Sequence, residues 1–200
     1  MGLTFGKHDP DQNHERLLAA AKLIDDGDFD GGMFQLRRLQ DEGQRDSMIV
    51  LARMYEAGIF GVKRDITKAL KIYHKLVEDK DPLAFLRLGQ LYALGENIPQ
   101  DYDMAFYYYS ILANAGDARA QFVIGDMYQR GLHTERNLDT ARLWFKSAAE
   151  KGHLYSAKNV AVIDCLSGQW LSGPSRLLYW NIAILGARIF RPNSMKLARI

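Results

Sequence analysis

One pattern of residues recurs three times along the chain at intervals of 36 or 37 residues. The matching columns are Ala52/Gly89/Gly125, Tyr55/Tyr92/Tyr128, Gly58/Gly95/Gly131, Asp65/Asp101/Asn137 and Ala69/Ala105/Ala141. Self-similarity at such a period is the signature of a repeat protein, in which each unit buries its apolar face against its neighbours. The chain is therefore predicted to fold as an array of similar units.

Each copy is predicted to be a pair of helices. The first helix begins after Asp46, Asp81 or Asp117 and ends at the glycine column, since Asp accepts hydrogen bonds from the orphan amides of a first turn and glycine suits a left-handed helix end. The second begins after the Asp/Asn column. Its buried stripe, at the i, i+3, i+4, i+7 spacing of an amphipathic helix, is Ala69/Ile72/Tyr73/Leu76, Ala105/Tyr108/Tyr109/Leu112 and Ala141/Trp144/Phe145/Ala148.

The small residues and the remaining glycines complete the pattern. The column of Ala52, Gly89 and Gly125 permits the first helix to approach its neighbour closely. Gly116 and Gly152 close the second helix in two copies, whereas Lys80 occupies that position in the first copy.

The strings Leu88-Gly-Gln-Leu-Tyr92-Ala-Leu-Gly95 and Ile124-Gly-Asp-Met-Tyr128-Gln-Arg-Gly131 resemble Sel1-like repeats, which are relatives of the tetratricopeptide repeat. The resemblance extends to Asp101-Tyr-Asp-Met-Ala105 and to the segment from Ala141 to Gly152, and it covers about residues 46–167. It implies an all-α fold, a right-handed α/α superhelix of helix-turn-helix repeats, that works as an adaptor or scaffold. It implies no catalytic residue.

The predicted organisation has four parts. Residues 1–11 are a flexible N-terminus, and residues 12–45 are a tetratricopeptide-like helix pair that caps the array, with helices over 12–26 and 30–43. Repeats follow at 46–80, 81–116 and 117–152, and the first helix of a fourth copy lies at 153–168 and closes at Gly168. An apolar, basic C-terminal helix and tail occupy residues 169–200. In the cap, the predicted inward residues are Leu17, Ala20, Ala21, Ile24, Phe34, Leu36 and Leu39.

Little in the chain points to catalysis or to a cofactor. The single cysteine, Cys165, excludes an internal disulfide, and the five histidines show no zinc-site spacing. The acidic string from Asp25 to Asp30 fails the calcium-loop pattern, because position 6 is Asp30 instead of Gly and position 12 is Leu36 instead of Glu. We therefore expect no enzyme activity, metal, cofactor, small-molecule substrate or nucleic-acid partner.

The outward positions of the first helices are the predicted protein-binding surface, on the concave side of the array. They form three rungs, which we call the polar ladder: Arg53 and Glu56, Arg87 and Gln90, and Asp126 and Gln129. Ile49, Leu86 and Phe122 lie alongside as a candidate apolar floor, and a groove with an apolar centre and a polar rim suits a peptide or helix of a partner. The alternative is that the charges are merely solvated and the apolar residues serve repeat stacking.

The C-terminal segment is a second candidate docking region. Residues 165–200 carry five basic residues and no carboxylate, although the whole chain has a net charge of only +2. Only Asn181 is plainly polar among the eleven residues between Arg176 and Arg188. The candidate docking residues are Trp170, Arg176, Tyr179, Trp180, Arg188, Phe190 and Arg191. Three interpretations stay open: a partner or self-association surface, contact with an anionic membrane, and a tail that folds back as a cap.

The pattern thus predicts a non-catalytic scaffold that binds a protein partner. The alternative is a peripheral membrane assembly or regulatory factor, for example of an envelope polysaccharide or secretion system, tethered by its basic C-terminal segment. The N-terminus has neither the apolar stretch of a signal peptide nor a favourable myristoylation site, because Gly6 stands where Ser or Thr is preferred. We expect a cytoplasmic protein, with the inner face of a membrane as a further possible location.

Overall fold

The computed structural model describes residues 10–167, and within that range the chain forms nine α-helices and no strand. The helices are α1 (Pro10–Asp25), α2 (Phe29–Asp41), α3 (Arg45–Ala57), α4 (Ile66–Glu78), α5 (Pro82–Leu94), α6 (Tyr102–Asn114), α7 (Ala118–Arg130), α8 (Leu138–Glu150) and α9 (Leu154–Leu166). Extensive contacts join each helix to the next one along the chain. The all-α helical-repeat superhelix is therefore confirmed.

The helix ends follow the predicted residue types. Gly58, Gly95 and Gly131 each end a first helix in the left-handed conformation, with φ between 68° and 69°. The second helices begin at Asp65, Asp101 and Asn137, whose side chains accept hydrogen bonds from backbone amides of the first turn.

The predicted start after Asp46 is wrong. Gln44 is the residue before α3, and its side-chain oxygen accepts a hydrogen bond from the Ser47 amide, whereas Asp46 lies inside the first turn. The repeat spacing explains this result, because Gln44 stands in register with Asp81 and Asp117, and both of those aspartates cap their helices. The equivalence of Gln44 to Asp81 and Asp117 is hard to see in the sequence, because the first repeat has glutamine where the other two have aspartate.

The apolar stripes of the second helices lie in the core. All four stripe residues are buried in α4 and in α6, and in α8 only Trp144 remains partly exposed. The glycine column also has the predicted role. A Cβ on Gly89 would lie 3.0 Å from the Tyr109 ring, and one on Gly125 would lie 2.8 Å from the Phe145 ring. Close helix approach thus depends on the missing side chain.

Polar links also join neighbouring repeats. Arg45 at the start of α3 forms an ion pair with the buried Asp81 at the start of α5. Lys151 donates a hydrogen bond to the Gly116 carbonyl at 2.6 Å, and Arg142 on α8 holds Asp164 on α9 through two hydrogen bonds. These links connect successive helix pairs.

The N-terminal pair departs from prediction at two positions. Ala20, Leu36 and Leu39 are buried as expected. Ala21 is exposed, and Phe34 is 65% exposed. Met33, one residue earlier than Phe34, fills the core position because it stands three residues before Leu36 on the same helix face.

The last described helix, α9, ends at Leu166 with Ser167 as its C-cap, so the predicted stop at Gly168 lies outside the described residues. Only Ser156 and Ile163 of α9 are buried. None of the helices between Pro10 and Leu166 combines the length and the hydropathy needed to cross a membrane.

Candidate functional site

The polar ladder comes from α3, α5 and α7, the first helices of the three repeats. Its rungs are not in the same register. Arg53 is equivalent to Gln90 and Asp126, whereas Arg87 stands in the column of Val50 and Val123. Arg87 is thus a charge that the second repeat adds at a position where the other two repeats carry valine.

The first rung is tied to the second helix of its own repeat through the hydroxyl group of Tyr73. This tyrosine belongs to α4 and is fully buried, and its hydroxyl donates a hydrogen bond of 2.7 Å to Oε2 of Glu56 on α3. Arg53 and Arg87 both act electrostatically on the same hydroxyl. The buried phenol is therefore hydrogen-bonded to one carboxylate and lies in the electrostatic field of two guanidinium groups from neighbouring repeats.

Burial and the hydrogen bond to Glu56 raise the pKa of Tyr73, while Arg87 and Arg53 oppose that rise. The phenol consequently stays protonated at neutral pH and remains a hydrogen-bond donor. Its donation orients the Glu56 carboxylate, which is partly buried at the surface of the repeat. A carboxylate held this way presents a fixed acceptor to a ligand, because its side chain has already lost rotamer freedom.

Arg87 is oriented by its own helix. Its Nη1 donates a hydrogen bond of 3.2 Å to Oε1 of Gln90 one turn further along α5, and both side chains are partly buried. Arg53 is exposed. The first two rungs therefore combine one exposed cation with a set of polar groups held by hydrogen bonds.

Among the described residues, the third rung forms no hydrogen bond or ion pair with the other two. Asp126 accepts a hydrogen bond of 3.3 Å from Arg130 on the same helix, and both residues line a cavity of about 300 Å³ between α5, α6 and α7. The buried amide oxygen of Gln129 has no hydrogen-bond partner among residues 10–167. Each rung of the ladder is thus held by its own contacts: Glu56 by Tyr73, Arg87 by Gln90, and Asp126 by Arg130.

The candidate apolar floor is partly buried. Ile49 and Leu86 pack against the core shared by α1 to α7. Phe122 lies 5.6 Å from the Phe145 ring and 4.7 Å from the His153 ring, measured between centroids. These residues contribute to stacking between repeats and leave only part of their surface to a ligand.

Sequence reasoning missed the part played by Tyr73. The residue falls on the apolar stripe of α4, and its position predicts only that it is buried. The residue type could have indicated this role. A buried tyrosine hydroxyl needs a hydrogen-bond partner, whereas the equivalent residue in the third repeat, Phe145, needs none.

The C-terminal docking residues Trp170, Arg176, Tyr179, Trp180, Arg188, Phe190 and Arg191 lie outside the described residues. Within residues 10–167, no group of three or more His, Cys, Asp or Glu residues is placed to hold a metal ion.

Comparison with known proteins decides the family. The model of the Sel1 repeat matches residues 45–81, 82–117 and 118–153, which together make up more than half of the chain. The chain belongs to the Sel1 repeat family. Sel1 repeats are protein-interaction modules. The three matched stretches coincide with the helix pairs α3–α4, α5–α6 and α7–α8.

Relatives and solved structures of this family resemble the chain. The chitin synthase regulator SKT5 of Saccharomyces cerevisiae is 33% identical over 109 residues, which is 54% of this chain and 16% of the relative. A protective antigen of uropathogenic Escherichia coli with an SLR fold superposes with a TM-score of 0.66 at 25% identity, over 79% of this chain and 37% of that one.

A Sel1 repeat protein from Oxalobacter formigenes superposes with a TM-score of 0.56 at 26% identity, over 64% of this chain and 96% of that one. The chain spans less than a fifth of the length of SKT5. The comparison with SKT5 therefore concerns the repeats and not the whole of that protein.

Proposed function

We propose that the protein is a non-catalytic adaptor that regulates a partner protein by binding it along the first-helix face of its repeats. The observation that carries the proposal is the set of polar groups held on the first two rungs, where Tyr73 donates a hydrogen bond to Glu56 and Arg87 donates one to Gln90. Neighbouring repeats thereby present charges in a fixed arrangement, which favours specific binding because little side-chain order remains to be gained. The name of SKT5 as a regulator supports the regulatory part.

The test is a double variant in which Arg53→Gln and Arg87→Gln remove both cations but keep polar side chains of similar length. We expect the variant to lose proteins that the wild type retains from a lysate of the source organism. The Arg53→Gln substitution should change the melting temperature little, because exposed charges contribute little to stability.

The matched control replaces two cations elsewhere, Arg119→Gln and Lys146→Gln, and both side chains are mostly exposed. It lowers the net charge equally, so it should retain the same proteins as the wild type. Equal retention by the ladder variant and the control would contradict the proposal and remove the ladder from the binding surface.

A second candidate function is that of a peripheral membrane factor tethered by residues 169–200. The excess of five basic residues without a carboxylate after position 164 favours it. Co-sedimentation with vesicles of anionic lipid tests it, with a chain truncated after Ser172 as the comparison. We expect only the full chain to sediment, and less so as salt rises, because salt screens the attraction between the basic segment and the lipid. Equal sedimentation of both chains would exclude the tether.

A further inference from the structure

A groove at the junction of the N-terminal helix pair and the first repeat has an aromatic lining. It has a volume of about 1060 Å³ and lies between the start of α2 and the loop that joins α3 to α4. Phe29, Phe34 and Phe60 line it and are 39%, 65% and 46% exposed. The Phe29 and Phe60 rings are 6.4 Å apart between centroids. Three exposed phenylalanines in one groove form an apolar patch that the described helices leave uncovered.

The backbone at Phe60 is strained. Its φ of 54° lies in the left-handed region, which a bulky L side chain rarely adopts. The neighbouring Gly61 takes a φ of 73° without such strain. Phe60 is only partly covered by its neighbours, so its packing compensates the strain incompletely, and strained positions of this kind are typical of functional sites.

The groove continues into a basic surface on α4. A second cavity of about 620 Å³ shares Tyr55 and Lys68 with the first and adds Lys71 and Lys75. The three lysines stand at i, i+3 and i+7 and therefore share one helix face, along which they span about 10 Å.

Tyr55 connects the two cavities and orients the cations next to it. Its hydroxyl accepts a hydrogen bond of 3.2 Å from Arg37, and the Lys68 ammonium lies 5.3 Å from the centre of its ring. The tyrosine itself is 8% exposed. A buried ring thus holds two cations at the point where the aromatic groove meets the lysine row.

Two of the four acidic residues that line this surface are engaged in other contacts. Asp28 caps α2, and Asp65 caps α4 and forms an ion pair of 3.3 Å with Lys68. Asp30 lines the aromatic end and Glu78 the far end of the second cavity. Among the described residues, Lys71 and Lys75 have no ion pair with a carboxylate within 4.0 Å. The net charge of the lysine row is therefore available to an acidic ligand.

We propose that this surface binds an acidic peptide segment of a partner protein. An aromatic or large aliphatic side chain of the peptide occupies the groove formed by Phe29, Phe34 and Phe60, and the carboxylates that follow it lie along Lys68, Lys71 and Lys75. A length of about 10 Å corresponds to about three extended residues, so three or four consecutive acidic residues suffice. The surface contains no residue of the polar ladder. A negative result at one of the two sites therefore does not contradict the proposal for the other.

The probe is a fluorescein-labelled peptide of about twelve residues in which Phe-Leu precedes four glutamates by one glycine, so that it spans both cavities when extended. Fluorescence anisotropy measures its affinity for the full chain. We expect saturable binding that weakens with salt, and loss of most affinity when lysines replace the glutamates. Absence of saturable binding, or equal binding of the lysine peptide, would overturn the proposal. A scrambled peptide of the same charge that binds equally well would overturn it too, since the attraction would then be unspecific.

The charge is tested with the double variant Lys71→Glu and Lys75→Glu. Both side chains are exposed, so the fold should tolerate the change, whereas the affinity should fall about tenfold because two attractive contacts become repulsive. The control Lys146→Glu and Lys158→Glu makes the same change in net charge on exposed faces of α8 and α9 and should bind like the wild type. An equal loss of peptide affinity in both double variants would contradict binding of the peptide at Lys71 and Lys75.

The aromatic end is tested with Phe60→Gly, which removes the ring and also relieves the strained backbone. A functional role predicts weaker peptide binding together with an unchanged or higher melting temperature, because glycine adopts a positive φ freely. Phe34→Ser, at a largely exposed position, should weaken binding with little change in stability. A lower melting temperature and unchanged peptide affinity in Phe60→Gly would assign the ring a structural role and overturn the proposal.

Discussion

The first and third repeats share one helix plan and differ at equivalent positions. Where α7 has Gly125, α3 has Ala52, which is completely buried. Lys80 follows α4 with a φ of 57°, and its counterpart after α8 is Gly152 with a φ of 86°. Asp65 caps α4, whereas Asn137 caps α8. The two repeats therefore have the same backbone conformation at these positions, and their different side chains contribute differently to the free energy of unfolding.

The largest difference is expected at the close-approach column. Gly125→Leu should lower the free energy of unfolding by about 1–3 kcal/mol, because even a Cβ at this position would lie 2.8 Å from the ring of the fully buried Phe145. Urea unfolding followed by circular dichroism measures the loss. Arg119→Leu, on the same helix at a largely exposed side chain, is the control and should be nearly neutral. Equal stability of the two variants would place the column outside the core.

The reciprocal change in the first repeat should cost less. Ala52→Gly is expected to lower the free energy of unfolding by about 1 kcal/mol, since glycine is the poorer helix former and the buried methyl group is lost. A gain in stability would mean that α3 is held away from its neighbour by this methyl group. The same urea titration distinguishes the two results.

The third difference concerns the residue that follows the second helix. Lys80→Gly should raise the free energy of unfolding by about 0.5–1 kcal/mol, because the relief of a left-handed lysine exceeds the entropy that glycine adds to the unfolded chain. Gly152→Lys, at the equivalent position, should lower the free energy of unfolding. No neighbouring atom lies within 4 Å of a Cβ at this position, so a steric clash would not contribute to the effect. Thermal melts of both variants check the opposite signs.

The smallest difference is a dependence on pH. Hydrogen bonding from the Lys68 amide lowers the pKa of Asp65 in the folded protein, so its charged form is stabilised by folding. This contribution is present above the unfolded pKa of about 4 and is lost as the pH falls through the lower, folded value. Asp65→Asn should therefore lose less stability than the wild type between pH 6 and pH 3.

The control for this titration is Asn137→Asp, which installs an acidic cap on α8. It should steepen the loss of stability below pH 4, because the charged carboxylate accepts the hydrogen bond of the Thr140 amide more strongly than the protonated acid does. If the free energy of unfolding depends on pH in the same way in both variants and in the wild type, protonation of these caps does not affect stability.

The repeat pattern predicted most of the helix plan, and the errors have physical causes. Residues that act within their own helix, such as Gly58 and Asp65, were predictable because their roles depend on local backbone geometry. Gln44 was missed because glutamine is not a common cap. Phe34 was misplaced because Met33 and Phe34 are both apolar, although only Met33 stands three residues before Leu36 on the buried face of the helix.

The candidate sites were less predictable for the same kind of reason. The sequence identified Glu56 as an outward residue, but its hydrogen bond with Tyr73 depends on how α4 packs against α3. The aromatic groove joins α2 to a loop about thirty residues later, and Phe29 and Phe60 belong to no shared motif.

The sequence by itself determined the number and direction of the helices within the repeats, their caps and their buried stripes, because capping and periodicity act over one or two helical turns. Only the tertiary structure decided which charges meet and which aromatic rings stay exposed. Those outcomes depend on distances between residues that are far apart in the chain, and these distances are set when whole helices pack against one another.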